Sequence, residues 1–553
     1  MRCTVGIDFG TESARAMLVD CDDGRELGAT VEPYKHGVID AHLPSPDSDV
    51  ELGPDWALQD PADYIASVQG AVSRLLAETG VSPDDVVGVG IDFTSCTMLP
   101  TLADGTPLSM LDALRREPHA WVKLWKHHAA QPEADRINAV AQERAEAWLP
   151  RYGGRISSEW FFAKALQILD EAPEVYARAD RLIEACDWIV WQLTGVERRS
   201  ACAAGYKAMW SKADGFPTPA YFAALDPRFE RIVDEKLSRT LLPPGARAGL
   251  LTERAAGWTG LRPGTPVAVG NVDFHGSVPA TTVTAPGTLV MIMGTSNGHL
   301  LIGRELVEVE GMCGVVEDGI VPGCFGYEAG QSGLGDIFGW FTRHAVPPEY
   351  HAAAEASGVD VHDVLAAEAS ALRPGESGLL ALDWWNGNRS VLADADLSGL
   401  LVGMTLATRA PEIYRSLIEA TAFGTRVIVE SFEQAGLLVD GIVACGGLPE
   451  RNPLLLQIFA DVLGREISVA ASRQAPALGA AMWGAVAAGA AAGGHATITD
   501  ASRRMASLSE TRFEPRPENR APYDALYAEY LRLHDLFGRG GDDLMRRLRR
   551  LRG

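Results

Sequence analysis

Two stretches of the chain share one pattern. Val5-Gly6-Ile7-Asp8-Phe9-Gly10-Thr11-Glu12-Ser13-Ala14-Arg15 stands near its start, and Val290-Met291-Ile292-Met293-Gly294-Thr295-Ser296-Asn297-Gly298-His299 stands at mid-length. Each reads as strand, tight turn, strand, with Gly-Thr and small polar residues in the turn. Such a turn lets backbone N–H groups and hydroxyls close around phosphate oxygens, because glycine leaves no Cβ in the way. A chain that carries this trap twice is constrained to a duplicated α/β fold gathered around one nucleotide.

Length and composition agree with two large ordered domains: 553 residues, 47% apolar and 22% charged, close to globular averages. The net charge of −24 repels nucleic-acid backbones and anionic membrane surfaces, so neither is expected as a partner. A nucleotide's phosphates must then be met by local backbone dipoles and a metal ion. The one basic run, Arg546-Arg547-Leu548-Arg549-Arg550-Leu551-Arg552, reads as a solvated helix end favoured by the helix dipole. Eight cysteines without a C-x-x-C pair argue against a zinc site or a disulfide framework and suit a reducing cytosol. The chain opens directly on a strand, with no secretion signal, so a cytoplasmic location is expected. The Ala- and Gly-rich stretch 478–492 is too short and too weakly apolar to span a bilayer and reads as a close-packed core helix.

Periodicity predicts strands over 4–8, 16–20 and 86–92 and a helix over 61–78, the alternation of an α/β module. From about 108 to 252 the pattern becomes helical and aromatic, with segments at 120–128, 158–172 and 185–194, and is expected to be an insertion that shapes a substrate pocket. Trp188 and Trp191 within it read as packing residues. A short strand over 266–269 then delivers Asn271-Val272-Asp273 at its end, where α/β folds place their chemistry. Pro286-Gly287 punctuates the start of a second module, giving domains 1–282 and 283–553. That module is expected to hold a long helix over 411–434, a buried strand over 441–445, a Gly446-Gly447 break and a helix opened by Asn452-Pro453, a good cap and first position. Tyr523, Leu526, Tyr527, Tyr530 and Leu533 share a helical spacing and either dock on their own module or contribute to a homodimer face.

Particular residues suggest chemistry. Asp8, at the end of the first strand, is repelled by phosphate and is expected to hold Mg²⁺ through water, since that ion keeps most of its hydration shell; the plainer alternative is that it bonds its own turn. Gly446 and Gly447 allow backbone to approach an adenine and α-phosphate. Asp273 is the general-base candidate, because phosphoryl transfer asks for alignment, charge neutralisation and a carboxylate near the attacking hydroxyl. His275 is the rival base, with a structural hydrogen bond as its plainer role.

Residues 5–20, 287–303 and 441–464 resemble the two phosphate loops and the adenosine loop of the sugar kinase, heat-shock chaperone and actin superfamily. Gly399-Leu400-Leu401-Val402-Gly403-Met404, followed by 413–419, is similar to the second signature of the FGGY carbohydrate kinases, and Ala477-Leu478-Gly479-Ala480-Ala481 to their helix near the nucleotide. Four further runs, 90–97, 123–128, 204–210 and 384–389, resemble in their shared order the branch of that family acting on L-ribulose. The resemblance implies two ribonuclease-H-like domains around a deep cleft, and ATP- and Mg²⁺-dependent phosphorylation of this ketopentose at its terminal hydroxyl, a step of arabinose breakdown. By the same resemblance Asp273 is the catalytic base, and Ser95, Trp125, Lys207 and Glu328 line the sugar pocket with it. Gly10, Thr11, Ser13, Arg15, Gly294, Thr295, Gly446, Gly447 and Asn452 fall on nucleotide positions.

Two departures stand out. Residues 156–166 follow the first FGGY signature only in part, which loosens the link to glycerol and xylulose kinases. Glu12 replaces a turn hydroxyl and puts nucleotide affinity in doubt unless it faces Mg²⁺ or solvent. The rival readings are an FGGY kinase for D-ribulose, xylulose or a polyol, and an ATP-switched binding protein of the chaperone or actin kind, for which no peptide-binding module follows the nucleotide domain.

Overall fold

The computed structural model describes residues 1–44 and 50–552. Its first sheet grows from the opening hairpin: β1 (Cys3–Phe9), β2 (Ser13–Asp20) and β3 (Glu26–Pro33) form an antiparallel meander, and β4 (Val86–Phe93) joins β1 in parallel. All residues of β1 and β4 are buried, as expected of strands covered on both faces. Beyond β4 lie β5 (Arg247–Leu250), β6 (Pro266–Ala268) and the short β7 (Asn271–Val272), in the order β5-β6-β4-β1-β2-β3, with β7 also on β4.

A second sheet repeats the plan. Its strands are β8 (Gly287–Met293), β9 (Asn297–Gly303), β10 (Gly314–Glu317), β11 (Phe325–Gln331), β12 (Val439–Cys445), β13 (Ile467–Ala470) and β14 (Leu508–Phe513). They lie in the order β10-β11-β9-β8-β12-β13-β14. Here too the first strand starts an antiparallel meander, β8-β9-β11, and pairs in parallel with a later strand, β12. The duplication seen in the two hairpins therefore extends to whole sheets.

The helices that matter for the site are α1 (Pro61–Thr79), α2 (Phe161–Glu171), α3 (Ala185–Thr194), α4 (Ala201–Lys207), α5 (Asp273–Gly276), α6 (Gly335–His344), α7 (Ala410–Gln434), α8 (Pro453–Leu463), α9 (Ala475–Ala488), α10 (Pro517–Gly538) and α11 (Leu544–Arg552). α1 starts where Asp60 accepts the Ala62 N–H and Pro61 supplies the first position, the preferred chemistry for a helix start. α9 is the close-packed core helix expected from its composition, but it belongs to the core of the first sheet. A Cβ on Gly6 would fall 2.0 Å from the Ala477 carbonyl oxygen and one on Gly90 1.8 Å from that of Ala480. Only a side chain of hydrogen lets the helix backbone lie on the sheet at that distance, so the later half of the sequence completes the earlier core.

The expected inserted helices are met at 185–194, which is α3, and within 158–172, where α2 begins only at Phe161. The third segment corrects the expectation. Residues 120–128 are not helical: a single 3₁₀ turn, Pro118–Ala120, leads into the strand Val122–Lys123. This strand pairs with Leu58–Gln59 on one side and Met98–Thr101 on the other, and Arg181–Glu184 completes the small sheet. The partners are remote in sequence, so local periodicity carried no trace of the pairing. Trp188 and Trp191 are packing residues, both buried.

α10 docks on its own half. The hydroxyls of Tyr523, Tyr527 and Tyr530 bond Glu419, Glu430 and Asp383. The basic run on α11 is less free than a solvated end: Arg546 Nη2 reaches Asp394 at 2.6 Å and Arg549 Nε reaches Asp396 at 3.4 Å. Among the described residues no helix is long and apolar enough to cross a membrane.

Candidate active site

The first hairpin turn is held from three sides. Gly10 N–H donates to the Ser13 carbonyl at 3.0 Å, Tyr34 OH donates to the Gly10 carbonyl at 3.0 Å, and the Gln59 amide donates to the Thr11 carbonyl at 2.7 Å. Thr11 Oγ1 accepts Trp125 Nε1–H at 3.0 Å, which ties an expected sugar residue to an expected phosphate residue. Glu12 is exposed, so its extra carboxylate is screened by solvent. Arg15, facing Asp8 across the β1–β2 register, donates to Asp8 Oδ2 at 3.0 Å.

Three carboxylates gather at the strand ends. β1 and β4 place Asp8 beside Asp92, and β7 places Asn271 on the far side of Asp92. Asp273 follows as the first residue of α5, and its Oδ1 accepts the Phe274 N–H at 2.6 Å. Burial raises Asp8, and Arg15 opposes that rise. Burial, then the Asp8 charge, pushes Asp273 up to about 8, where a carboxylate becomes a competent base near neutral pH.

On the sugar side, α4 ends at Lys207, whose Nζ donates to Glu328 Oε1 at 2.9 Å and Oε2 at 3.0 Å. Glu328 lies on β11, so this buried pair bridges the two halves of the molecule. Burial opposes both charges, but Lys207 holds Glu328 well below the usual carboxylate range, and Glu328 holds Lys207 charged. His275 Nε2 lies 3.1 Å from Glu328 Oε2, and the imidazole stacks on Tyr206 at 3.6 Å. Burial pulls His275 below its ordinary value, so it is neutral and donates to Glu328, the structural role expected for it. Phe274 locks this corner to the second hairpin: a Cβ on Gly298 would fall 1.7 Å from its ring.

On the nucleotide side, the Gly294 and Thr295 carbonyls accept N–H groups of Gly335 and Leu334 at 3.1 and 2.7 Å, pinning the second turn to the start of α6. Gly294 and Thr295 are themselves exposed. Gly446, at φ 102°, brings the chain against Met293, with its missing Cβ 2.5 Å from the Met293 carbonyl oxygen. The second phosphate turn and the Gly446-Gly447 break are therefore neighbours. Asn452 is committed elsewhere by its side chain: Oδ1 caps the Leu455 N–H at 3.2 Å and Nδ2 donates to Tyr414 OH at 3.2 Å.

Two residues were not singled out by sequence reasoning. Asp92 passed only as part of the run 90–97; its signal was an acid in an otherwise apolar buried strand. Lys164 passed as part of the irregular first signature. Its Nζ, fully buried on α2, donates at 2.7 Å to the carbonyls of both Cys96 and Leu124, the residues next to Ser95 and Trp125. Cys96 is held at φ 55°, and Ser95 Oγ lies 3.1 Å from its Sγ. Burial pulls Lys164 down to about 8.

Oxygen donors with unused capacity at Asp8 and Asp92 are the chemistry of a hard divalent cation held through its water. No N–H or hydroxyl reaches either Asp92 oxygen, whose one close polar neighbour is the Asp8 carboxyl, and both polar atoms of the Asn271 amide are buried without a partner, so the residues present fit a hydrated Mg²⁺. A separate depression of about 510 Å³, lined by Thr284, Pro286, Asp440 and Glu466 among others, opens at the opposite ends of β8 and β12 and includes none of these groups.

The geometry agrees with what the chain resembles. The model of the FGGY family of carbohydrate kinases, N-terminal domain, matches residues 3–278, and that of the C-terminal domain matches 289–488. A ribulokinase of Geobacillus thermodenitrificans is 57% identical over 99% of this chain and 96% of its own length. A ribulokinase of Mycolicibacterium smegmatis is 52% identical over 99% and 96%. Among solved structures, a xylulose kinase from Rhodospirillum rubrum superposes with a TM-score of 0.77 at 23% identity, covering 96% of this chain and 98% of its own. A glycerol kinase from Plasmodium falciparum with ADP gives 0.72 at 14%, covering 96% and 98%; likenesses at such identities speak for the fold. With the two family models matching most of its length, one on each half, the chain belongs to the FGGY family of carbohydrate kinases.

Proposed function

We propose that this sugar kinase transfers the γ-phosphoryl group of ATP to the terminal hydroxyl of L-ribulose, giving L-ribulose 5-phosphate for arabinose catabolism, in the cytoplasm. Relatives named ribulokinase at 51–57% identity support the substrate. The single observation that carries the mechanism is that Asp273 lies within electrostatic reach of both the hairpin carboxylate Asp8 and the buried Lys207–Glu328 pair.

In this reading the pair and Trp125 bind sugar hydroxyls, a task suited to groups whose loss of a partner is strongly penalised. Ser95 lines the same wall, held through Lys164. Asp273 accepts the proton of the attacking hydroxyl. The turns at 10–13 and 294–296 cradle the phosphates with N–H groups and hydroxyls, and Gly446 and Gly447 accommodate the adenosine. Asp8 would hold Mg²⁺ through water; when bound, the ion neutralises charge on the phosphate oxygens. The first turn and the sugar-binding residues other than Glu328 come from residues 1–282, and Glu328, the second turn and the adenosine site from 283–553, the domain division we favour. Approach of the halves over the sugar excludes water that would otherwise accept the phosphoryl group.

The test is a substrate panel with coupled ADP detection, run with and without Mg²⁺. L-ribulose should be preferred by kcat/KM over D-ribulose, xylulose and polyols, with turnover lost on chelation. Preference for a polyol would defeat the assignment.

A further inference from the structure

The unexplained feature of this centre is Asp92. Its side chain is fully buried and no N–H or hydroxyl reaches either oxygen; the ionisable groups that face it are the carboxylates of Asp8, close enough to share a proton with it, and Asp273 and, more weakly, the Arg15 guanidinium, and burial together with these acids holds Asp92 well above the usual carboxylate range. Asn271, in register beside it, is 1% exposed with both amide atoms equally unpartnered. Four polar atoms that no donor or acceptor of the protein reaches, on two adjacent buried side chains, call for an explanation.

The position is set by the sheet. Gly6 and Gly90 lie under the backbone of α9. Two residues further along each strand, and so on the same face, come Asp8 and Asp92. Asp92 therefore stands next beyond the glycine that α9 covers, in a row with Asp8 and Asn271. Gly276, close above, adds no side chain: a Cβ there would sit 3.7 Å from the Asp92 Cβ and 3.3 Å from that of Asn271. The donors are oxygens and an amide, suited to water bound to a hard cation.

We propose that Asp92, with Asn271 beside it, is a further part of the phosphoryl-transfer centre and accepts hydrogen bonds from the hydration shell of the divalent cation held at Asp8. This rests on the reading of the crevice as an ATP site. Asp92 is a positioning residue here: it fixes the cation's water, and through it the cation, without touching the reacting atoms.

The test is Mn²⁺ binding to the full-length protein–ADP complex, followed by the EPR signal of free Mn²⁺, in the parent protein, Asp92→Asn and Asp92→Ser. ADP affinity in EDTA and thermal melting are measured beside it. Mn²⁺ affinity should fall about 10- to 100-fold in both variants, the range seen when outer-shell partners of a metal are removed. ADP in EDTA should bind within about threefold of the parent, because Asp92 meets the nucleotide only through the cation's water. Melting of the nucleotide-free Asp92→Asn protein should stay close to that of the parent, since a buried carboxyl is replaced by an amide of the same shape. Unchanged Mn²⁺ affinity in both variants would overturn the proposal, as would an equal loss of ADP affinity in EDTA with a lower melting temperature. Failure of the parent protein to bind ADP under any condition would instead sink the ATP-site reading and this proposal with it.

Discussion

The two hairpins share a backbone plan and differ in charge. β1 turns into β2 through Gly10-Thr11, and β8 turns into β9 through Gly294-Thr295. The first hairpin carries Asp8 two residues before its turn glycine, in register with Asp92. The second carries Ile292 at the matching place, in register with Cys445. Asp273 also stands at the first sheet's edge. Duplication thus supplied two turns of one plan, the phosphate cradles of the proposed function, while the carboxylates were gathered at one of them. Grouping the acids raises Asp273, and keeping the other turn free of them lets anionic phosphates approach from that side.

The largest effect should come from removing the base on the charged side. In Asp273→Ala, kcat should fall about 10³-fold, within the usual contribution of general-base catalysis, with ketopentose affinity by equilibrium titration changed only a few-fold. Near-normal turnover would reject the assignment. The same carboxyl sets the pH dependence. Its raised value, about 8, means the base is protonated below that pH and free above it, so kcat/KM for the ketopentose should climb as pH rises through about 8.

Next comes the bridge between the halves. Glu328→Gln leaves Lys207 charged and buried without its partner, which should lower stability by about 3 kcal/mol, the cost of breaking a buried pair from one side. Denaturant unfolding reads that loss. Adding Lys207→Met should recover most of the stability but not sugar binding; recovery of both would show the pair to be structural only.

A smaller effect is expected at Lys164, which acts on the sugar wall through the Cys96 and Leu124 carbonyls. Lys164→Met should raise KM for the ketopentose about tenfold and leave KM for ATP within twofold, and Lys164→Arg should recover part of the loss. Equal changes in both KM values would assign the residue to general folding.

The smallest and sharpest contrast lies within the second cradle. A Cβ on Gly294 meets nothing within 4 Å, whereas one on Gly446 meets the Met293 carbonyl at 2.5 Å in a backbone at φ 102°. Gly294→Ala should keep the melting temperature and weaken ATP binding a few-fold, while Gly446→Ala should lower the melting temperature.

Much of this was legible in the chain. The two hairpins, the strand before Asp273 and the Asn452-Pro453 helix start follow from local patterns, and family likeness singled out Lys207 and Glu328, which the structure pairs. The small sheet containing Val122–Lys123 was not legible, because its partners lie at 58–59, 98–101 and 181–184. Nor was Lys164, whose acceptors are carbonyls, and a carbonyl leaves no mark in residue identity. Asn452 shows the converse: its motif position suggested a nucleotide contact, while its side chain is occupied by a helix cap and Tyr414.

Short-range chemistry settled the repeated elements, their caps and the turn residues, because each depends on neighbours within a few positions. Which carboxylates meet, which stay unsatisfied and which half completes the other's core depended on strand register and on α9 crossing to the first sheet. Those are contacts between residues hundreds of positions apart, and burial fixes them only once both halves have packed.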